Sequence, residues 1–519
     1  MKNAAGADFR GTQMKKFLKG RKFKYGSVAL CLTLLTVAAV IIANTVLSAL
    51  AYNYGWSIDM SEKFIYGIGE GCGKYLEDKV FPYMSGSGEK IKIILCDEER
   101  VLDDELATKY VLNTVKELEE KYPEKIELTH LNVWENPKLA HSYGVTSDTD
   151  VIFTYGGRHI TLTLSQFYVT TGGDTENPTA YNGERRISSA MLRIVREDNP
   201  VCYFTVNHGE TLGDAELISL LADAGYNCDF IDLTESDIPS DCDLLLTVNP
   251  FSDLMEPSEL SVISETQKLR DYMSQGGKYM VFVSSDTFSS GGLENFETFL
   301  EGYGVNFVHS TGKDGIESVY TVRDTANAVS VDGYSFFSAI SDSSTAQSIF
   351  SDMKKDSVFS SSAVIAPATG FEASSDGSYK KGDMTLSPIY ISHSSAEAWS
   401  GGFIADKADD APFILSSLTQ IPVQNGAAAY LYACSSVSFC TEDCLQSNVY
   451  GNGEGILRLL SYMGTSDIPI SLSSRPLTSP PIQSLTTKNA AVITVLLCAI
   501  PSLILAGVGI FVLVRRRHL

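Results

Sequence analysis

The sequence predicts an α/β protein anchored in a membrane at both ends, its bulk formed by a small α/β unit and a larger doubly wound one. Three observations lead there. Uncharged apolar runs lie near both ends, at 28–50 and 490–514. Residues 91–165 carry strand and helix periodicities in the order β-α-β-α-β-β. From residue 201 onward, short apolar strands alternate with amphipathic helices, the pattern of a parallel sheet buried on both faces. A chain of 519 residues is also long enough for more than one core.

The terminal runs have 23 and 25 residues. At ~1.5 Å per residue each crosses a hydrocarbon layer of ~30 Å. Pro501 kinks the second without preventing insertion, because neighbouring groups re-satisfy the freed carbonyl. Lys2, Arg10, Lys15, Lys16, Lys19, Arg21, Lys22 and Lys24 precede the first run against Asp8 alone, and Arg515, Arg516 and Arg517 follow the second. By the positive-inside rule the basic tails, 1–24 and 515–519, are cytoplasmic, and residues of about 52–488 are extracytoplasmic. The spans are placed at 25–51 and 489–514. A cleaved signal peptide is the rival reading of the first, since Ala49-Leu50-Ala51 resembles a cleavage site. The length of the apolar run and of its basic leader favours an uncleaved anchor.

The chain carries −23 at pH 7, from 40 Lys and Arg against 63 Asp and Glu. Setting aside the eleven flanking basic residues and Asp8 leaves 29 against 62, or about −33 for the outer part. That balance argues against nucleic acid and against adhesion to anionic lipid. Of ten cysteines, Cys31 and Cys498 fall in the spans. The other eight (Cys72, Cys96, Cys202, Cys228, Cys242, Cys434, Cys440, Cys444) face a disulfide-permissive space. Cys440 and Cys444 have no second pair nearby, so no zinc pattern forms. Several cysteines sit in apolar strand-like runs and read as small buried hydrophobes. One bridge among Cys434, Cys440 and Cys444 is the alternative.

Residues 52–90 read as an irregular, glycine-rich linker. Its GIGEGCGK stretch, 67–74, looks like a phosphate loop and fails as one. Ile68 stands where a glycine is needed, and Tyr75 replaces the Ser or Thr that holds magnesium. No cofactor is expected. The small unit, 91–168, has strands at 91–95 and 125–131, helices at 103–122 and 137–143, and a hairpin of 151–154 with 159–164 around Gly156-Gly157. This is a thioredoxin-like order, but Glu99 stands where a second redox thiol would follow Cys96. Asp103, Asp104 and Glu105 read as helix-opening carboxylates rather than a metal site.

A polar loop, 169–185, precedes the larger domain, 186–470. Its strands are placed at 201–205, 228–233, 243–248, 278–284 and 427–433. One helix carries Leu217, Leu220, Leu221 and Ala224 and closes at Gly225. A second is capped by Ser258, carries Val262, Leu269 and Met273, and ends at Gly276-Gly277. A third lies at 453–463. A Ser-rich insertion with its own irregular strands occupies about 310–400, and a Ser/Pro tether, 471–488, leads to the second span.

Ligands of open parallel sheets bind outside the carboxyl ends of the strands. The loops there hold Asn207, His208, Gly209 and Glu210, then Asn249 and Ser252, then Ser284, Ser285 and Asp286, and finally Ser435. Together they outline a polar crevice for a ligand or partner. A hydrolase would need an activated nucleophile beside a base. No G-x-S-x-G or G-x-C-x-G elbow occurs at the fourth strand, and none of the seven histidines sits in a metalloprotease pattern. His208 activating Ser284 or Ser285, oriented by Glu210 or Asp286, is the catalytic option. The preferred reading is a turn-forming or binding loop, with no catalytic residue and no metal.

The stretches VCYFTVNHGE, IDLTESDIPSDCDLLLTVNP, LRDYMSQGGKYMVFVSS and IELTHLNVWENPKLAHSYGV resemble the GldG-like auxiliary components of ABC transport systems, first associated with gliding motility. The resemblance covers roughly 88–310 and 425–465 together with the anchors. It implies a thioredoxin-like domain followed by a flavodoxin- or class I amidotransferase-like domain that is non-catalytic. It also implies an ABC-2-type permease and an ATPase on other chains as partners. The family's Gly-His-Gly-Glu stands here as Asn207-His208-Gly209-Glu210, keeping both polar groups. The competing functions are a cell-surface serine hydrolase acting on glycan or peptide, and a membrane sensor. For a sensor, tails of 24 and five residues leave little room for an output domain.

Overall fold

The computed structural model describes residues 66–84, 88–169, 178–211, 215–257, 262, 264–288, 292–311, 317–401, 407–408, 411–423, 427–445, 449–464 and 474–477. All belong to one compact unit, Lys63–Leu519. The two apolar runs, the basic tails, Ser258 and most of the tether lie outside the described residues. Among those described, no helix is long and apolar enough to cross a membrane.

The fold is mixed α/β. It begins with helix α1 (Glu70–Tyr75), which runs on through a π turn, Leu76–Val80, and a 3-10 turn, Phe81–Tyr83. The described part of 52–90 is therefore helical and packed rather than an irregular linker. Cys72, Tyr75, Leu76, Val80 and Met84 recur at helical spacing and are buried. The glycines that suggested a loop allow close packing instead: a Cβ on Gly73 would lie 2.6 Å from Lys121 Nζ.

Strand β1 (Ile91–Leu95), helices α2 (Glu99–Asp104) and α3 (Leu106–Lys121), strand β2 (Ile126–His130), helix α4 (Pro137–Ser142) and strands β3 (Val151–Tyr155) and β4 (Arg158–Leu162) follow in the expected order. The helix expected at 103–122 is broken by Glu105, which is extended at φ −105° and ψ 135°. The sheet order is β2-β1-β3-β4, with β1 parallel to β2 and antiparallel to β3. Gly156 and Gly157 turn the β3–β4 hairpin at φ 59° and 78°, a pair of left-handed angles that side-chain-bearing residues rarely adopt.

Helix α5 (Gly183–Val195) closes this unit. Ile187, Ala190, Met191, Ile194 and Val195 share a core with Ile91, Ile93, Leu112, Val115 and Phe153. The sequence placed residues from 186 onward in the second domain; the apolar face of α5 assigns 186–195 to the first. The chain also returns here at its far end. Arg475–Pro476 pairs with Ala180–Tyr181, which pairs in turn with Tyr168–Val169.

The larger unit comprises β5 (Val201–Thr205), α6 (Ala215–Asp223), β6 (Asn227–Ile231), β7 (Cys242–Val248), α7 (Glu265–Ser274), β8 (Lys278–Phe282) and α8 (Glu294–Gly302). After the insertion's smaller strands come β9 (Glu372–Ala373), β10 (Tyr379–Lys381), β11 (Met384–Pro388), β12 (Ser416–Pro422), β13 (Ala428–Cys434) and α9 (Asn452–Tyr462). Nine strands form one sheet in the order β9-β10-β11-β12-β13-β8-β7-β5-β6. The five parallel strands run second, first, third, fourth, fifth along the chain, the flavodoxin-like order.

The sheet is not wholly parallel, as the alternation of strands and helices suggested. Strands β9 to β12 extend it antiparallel, and three of them come from the Ser-rich insertion. Their hydroxyls concealed them: Ser416, Ser417 and Thr419 of β12 are buried where apolar side chains would have marked a strand. One face of the sheet (Phe204, Leu246, Phe282, Tyr432) packs on Leu221 of α6 and Ile456 and Leu460 of α9. The other (Leu245, Tyr279, Val281, Leu431) packs on Leu269 and Met273 of α7 and Phe296 and Phe299 of α8. Helix α7 begins at Glu265, where Ser264 accepts from Gln267 N, and not near 258; Val262 lies outside it and is 94% exposed.

Candidate functional site

The switch point of the parallel sheet falls between β5 and β7, and the loops leaving them lie against each other. Phe251 N and Ser252 N donate to His208 O at 2.7 and 2.9 Å, and Thr211 N donates to Val248 O at 3.0 Å. Both loops need left-handed backbone. Asn207 has φ 82° and Asn249 φ 50°, positions that asparagine tolerates better than most residues. Asn207 thus holds a left-handed position that glycine would otherwise supply. Gly209, at φ 73°, has no substitute: a Cβ there would lie 2.9 Å from Phe251 Cβ.

His208 is held inside this double loop, 4% exposed. Its Nε2 lies 2.9 Å from Glu265 Oε2 and its Nδ1 lies 3.6 Å from Glu210 Oε1. Glu210 Oε2 accepts from His208 N at 2.7 Å, and Glu265 Oε2 accepts from Met255 N at 2.7 Å. Hydrogen bonds to Glu210 and Glu265 outweigh burial and raise the His208 pKa to about 10. Burial pushes the Glu210 carboxyl up, but hydrogen bonds from His208, the backbone and Thr205 bring it below its ordinary value. His208 is therefore an imidazolium clamped between two carboxylates. An imidazolium with both nitrogens engaged has no lone pair to take a serine proton.

The serines lie in two other networks. Ser284 N donates to Thr287 Oγ1 at 2.9 Å, Thr287 Oγ1 donates to Asn249 Oδ1 at 2.6 Å, and Asn249 Nδ2 donates to Thr211 Oγ1 at 3.1 Å. Ser285 donates from its Oγ and its N to Ser361 O at 3.0 and 2.8 Å. Ala363 N donates to Ser435 O at 3.2 Å, and Ser436 Oγ donates to Ser360 O at 2.8 Å. The insertion's segment 360–363 thereby lies across the carboxyl ends of β8 and β13. Ser284, Ser285 and Ser435 are 7%, 6% and 0% exposed, while Asp286 and Ser252 face solvent.

The structure brings Asn207, His208, Gly209, Glu210, Asn249 and Ser252 together at the switch point and ties Ser284 to Asn249 through Thr287. It places Ser285 and Ser435 under the insertion, so the expected open crevice is largely filled by the protein itself. Sequence reasoning missed Glu265. The Ser264-x-x-Gln267 pattern marks the start of α7 and sets Glu265 in its first turn, but the apolar spacing of Val262 with Leu269 drew that start too early. A cavity of about 450 Å³ opens at the opposite, amino-terminal ends of β7 and β8, bordered by Asp243, Lys268, Tyr272 and Lys278. Burial lowers the pKa of Lys278 there. No group of metal-ligating side chains is found among the described residues.

No known family profile matches the chain, and no curated protein matches it. Similar solved structures include the N-terminal domain of mmIFT52, 12% identical, covering 52% of this chain and 99% of that one with a TM-score of 0.34. PurLQS from Thermotoga maritima is 13% identical over 51% of this chain and 99% of that one, with a TM-score of 0.25. A ThuA-like protein from Bacteroides uniformis is 9% identical over 52% and 94%, with a TM-score of 0.27.

Proposed function

We propose that this chain is a non-catalytic, extracytoplasmic accessory subunit of an ABC-2-type transport system. In this reading a thioredoxin-like unit and an amidotransferase-like unit stand outside the membrane, anchored by the runs at 28–50 and 490–514. A separate permease and ATPase carry transport.

The observation that carries the proposal is the meeting of the two ends of the described chain. Tyr66 and Ile68 at one end and Leu477 at the other pack on one core. Glu184 of α5 accepts from Gly69 N and pairs with Arg475 Nη2 at 2.6 Å. Fifteen residues separate the first apolar run from Tyr66, and twelve separate Leu477 from the second. At ~3.5 Å per extended residue these leaders reach no more than roughly 50 and 40 Å. Connections of that length leave both runs within reach of a single bilayer. The clamped His208 and covered serines support a scaffold or binding role for that larger unit.

Affinity purification of the full chain from detergent-extracted membranes tests the proposal. An ABC permease and an ATPase recovered in fixed ratio support it. A monodisperse protein that brings down neither overturns it.

A further inference from the structure

Strands β5 and β6 are parallel neighbours, and their register sets Cys202 directly opposite Cys228. In-register partners point to the same face of a sheet. Both side chains accordingly meet the same core, Cys202 fully buried within it and Cys228 partly exposed at its edge. Neighbouring strands stand about 4.8 Å apart, inside the range of about 4.4–6.8 Å over which Cα atoms carry a disulfide. Cys242 is the third thiol nearby, but it pairs with Val201 and packs on the opposite core.

We infer that Cys202 and Cys228 are a redox-active thiol pair, which a small-molecule disulfide converts into a bond stapling the edge strand β6 to β5. The inference holds for the folded chain whether or not the transport reading is right.

The surroundings assign the roles. The hydrogen bond from Cys202 lowers the Cys228 pKa first, and the positive charge of Arg193 on α5 adds to it against burial. Burial, then the Cys228 sulfur, push the Cys202 thiol well up. A partly exposed thiol favoured as thiolate is the one that attacks. The Cys228 thiolate attacks one sulfur of the oxidant, whose S–S bond breaks to release one thiolate and leave a mixed disulfide on Cys228. Cys202 then gives up its proton and attacks the Cys228 sulfur, expelling the second thiolate. Two protein thiols are oxidised, one small disulfide is reduced to two thiols, and the protons follow the leaving sulfurs.

The bond would act where the fold is open. Strand β6 is the outer strand of the sheet, with Asn227, Asp229 and Phe230 exposed, and an unprotected edge invites pairing with other chains. A staple to β5 holds it in register.

The test treats the detergent-solubilised full chain with oxidised glutathione, alkylates the remaining thiols and digests with an Asp-specific protease. That protease separates Cys202, in 198–213, from Cys228, in 223–228. The expected result is a reducible cross-linked pair of these two peptides and a Tm raised by a few degrees. Cys202→Ser is expected to trap glutathione on Cys228, and Cys228→Ser to trap none on Cys202. Recovery of both cysteines in alkylated form from the wild-type chain, or a bond from either to another cysteine, overturns the inference. So does glutathione on Cys202 rather than Cys228.

Discussion

Arg475 Nη2 lies 2.6 Å from Glu184 Oε2, and the other oxygen of that carboxylate accepts from Gly69 N. One side chain on α5 thus fastens two segments that are about four hundred residues apart in the sequence. The Glu184 and Arg475 side chains are 10% and 21% exposed, so the pair is largely desolvated and removing one partner leaves the other uncompensated. Glu184→Ala is expected to cost about 1–3 kcal/mol. Amide hydrogen exchange is expected to quicken at Gly69 and in 474–477, with the nine-stranded sheet unchanged. Uniformly faster exchange would mean that Glu184 supports the fold generally and clasps nothing.

The imidazolium of His208 ties stability to pH. Its pKa of about 10 lies above the ordinary 6.5, so its stabilisation is complete below about 6.5 and is lost as pH rises through about 10. Glu210 is held below its ordinary 4.5, so its contribution is present above that value and is lost as pH falls through the lowered one. The two together give a plateau between about 4.5 and 6.5. His208→Gln is expected to flatten the alkaline limb in urea titrations run across pH. His208→Ala leaves two buried carboxylates without their cation and is expected to cost about 3–5 kcal/mol.

The two units are joined through Asp223 of α6. Arg186 Nη1 lies 2.6 Å from its Oδ1 and Arg185 Nε 3.2 Å from its Oδ2, while Ser189 Oγ donates to Asp223 O at 2.6 Å. Asp223 is 6% exposed, and burial lowers the Arg185 pKa. Asp223→Ala is expected to destabilise by about 3 kcal/mol, because two largely buried guanidinium groups lose their counter-ion. Limited proteolysis should then cut the connection at 196–200 faster than in the wild type.

Ser284 and Ser285 are bound by neighbours rather than activated. Ser285→Ala removes the hydrogen bond to Ser361 O and is expected to cost about 1 kcal/mol. Fluorophosphonate probes are expected to label neither wild-type serine. Labelling that disappears in Ser285→Ala or in His208→Ala would establish a hydrolase.

Strands β1, β5, β7, β8 and β13 were legible because each is a short apolar run bounded by turn residues, and their order alone implied a sheet wound on both faces. Strands β9 to β12 were not, because β12 buries hydroxyls and the others are short and polar. The helix in 70–83 was hidden by glycines that serve packing. Of the site, the loop from Asn207 to Glu210 was legible from the strand before it. Its partner Glu265 was not, since 57 residues separate it from His208 and only the fold brings them to 2.9 Å. The covering of Ser285 and Ser435 by 360–363 is likewise a tertiary event that no local pattern announces.

Labelling of intact cells with a membrane-impermeant maleimide tests the central claim most directly. Trp134 is 80% exposed on the small unit, and His518 lies in the basic tail. With the wild-type chain as background, Trp134→Cys is expected to react in intact cells, and His518→Cys only after the membrane is opened. Reaction of His518→Cys in intact cells, or protection of Trp134→Cys until lysis, would contradict an extracytoplasmic body held at both ends by membrane anchors.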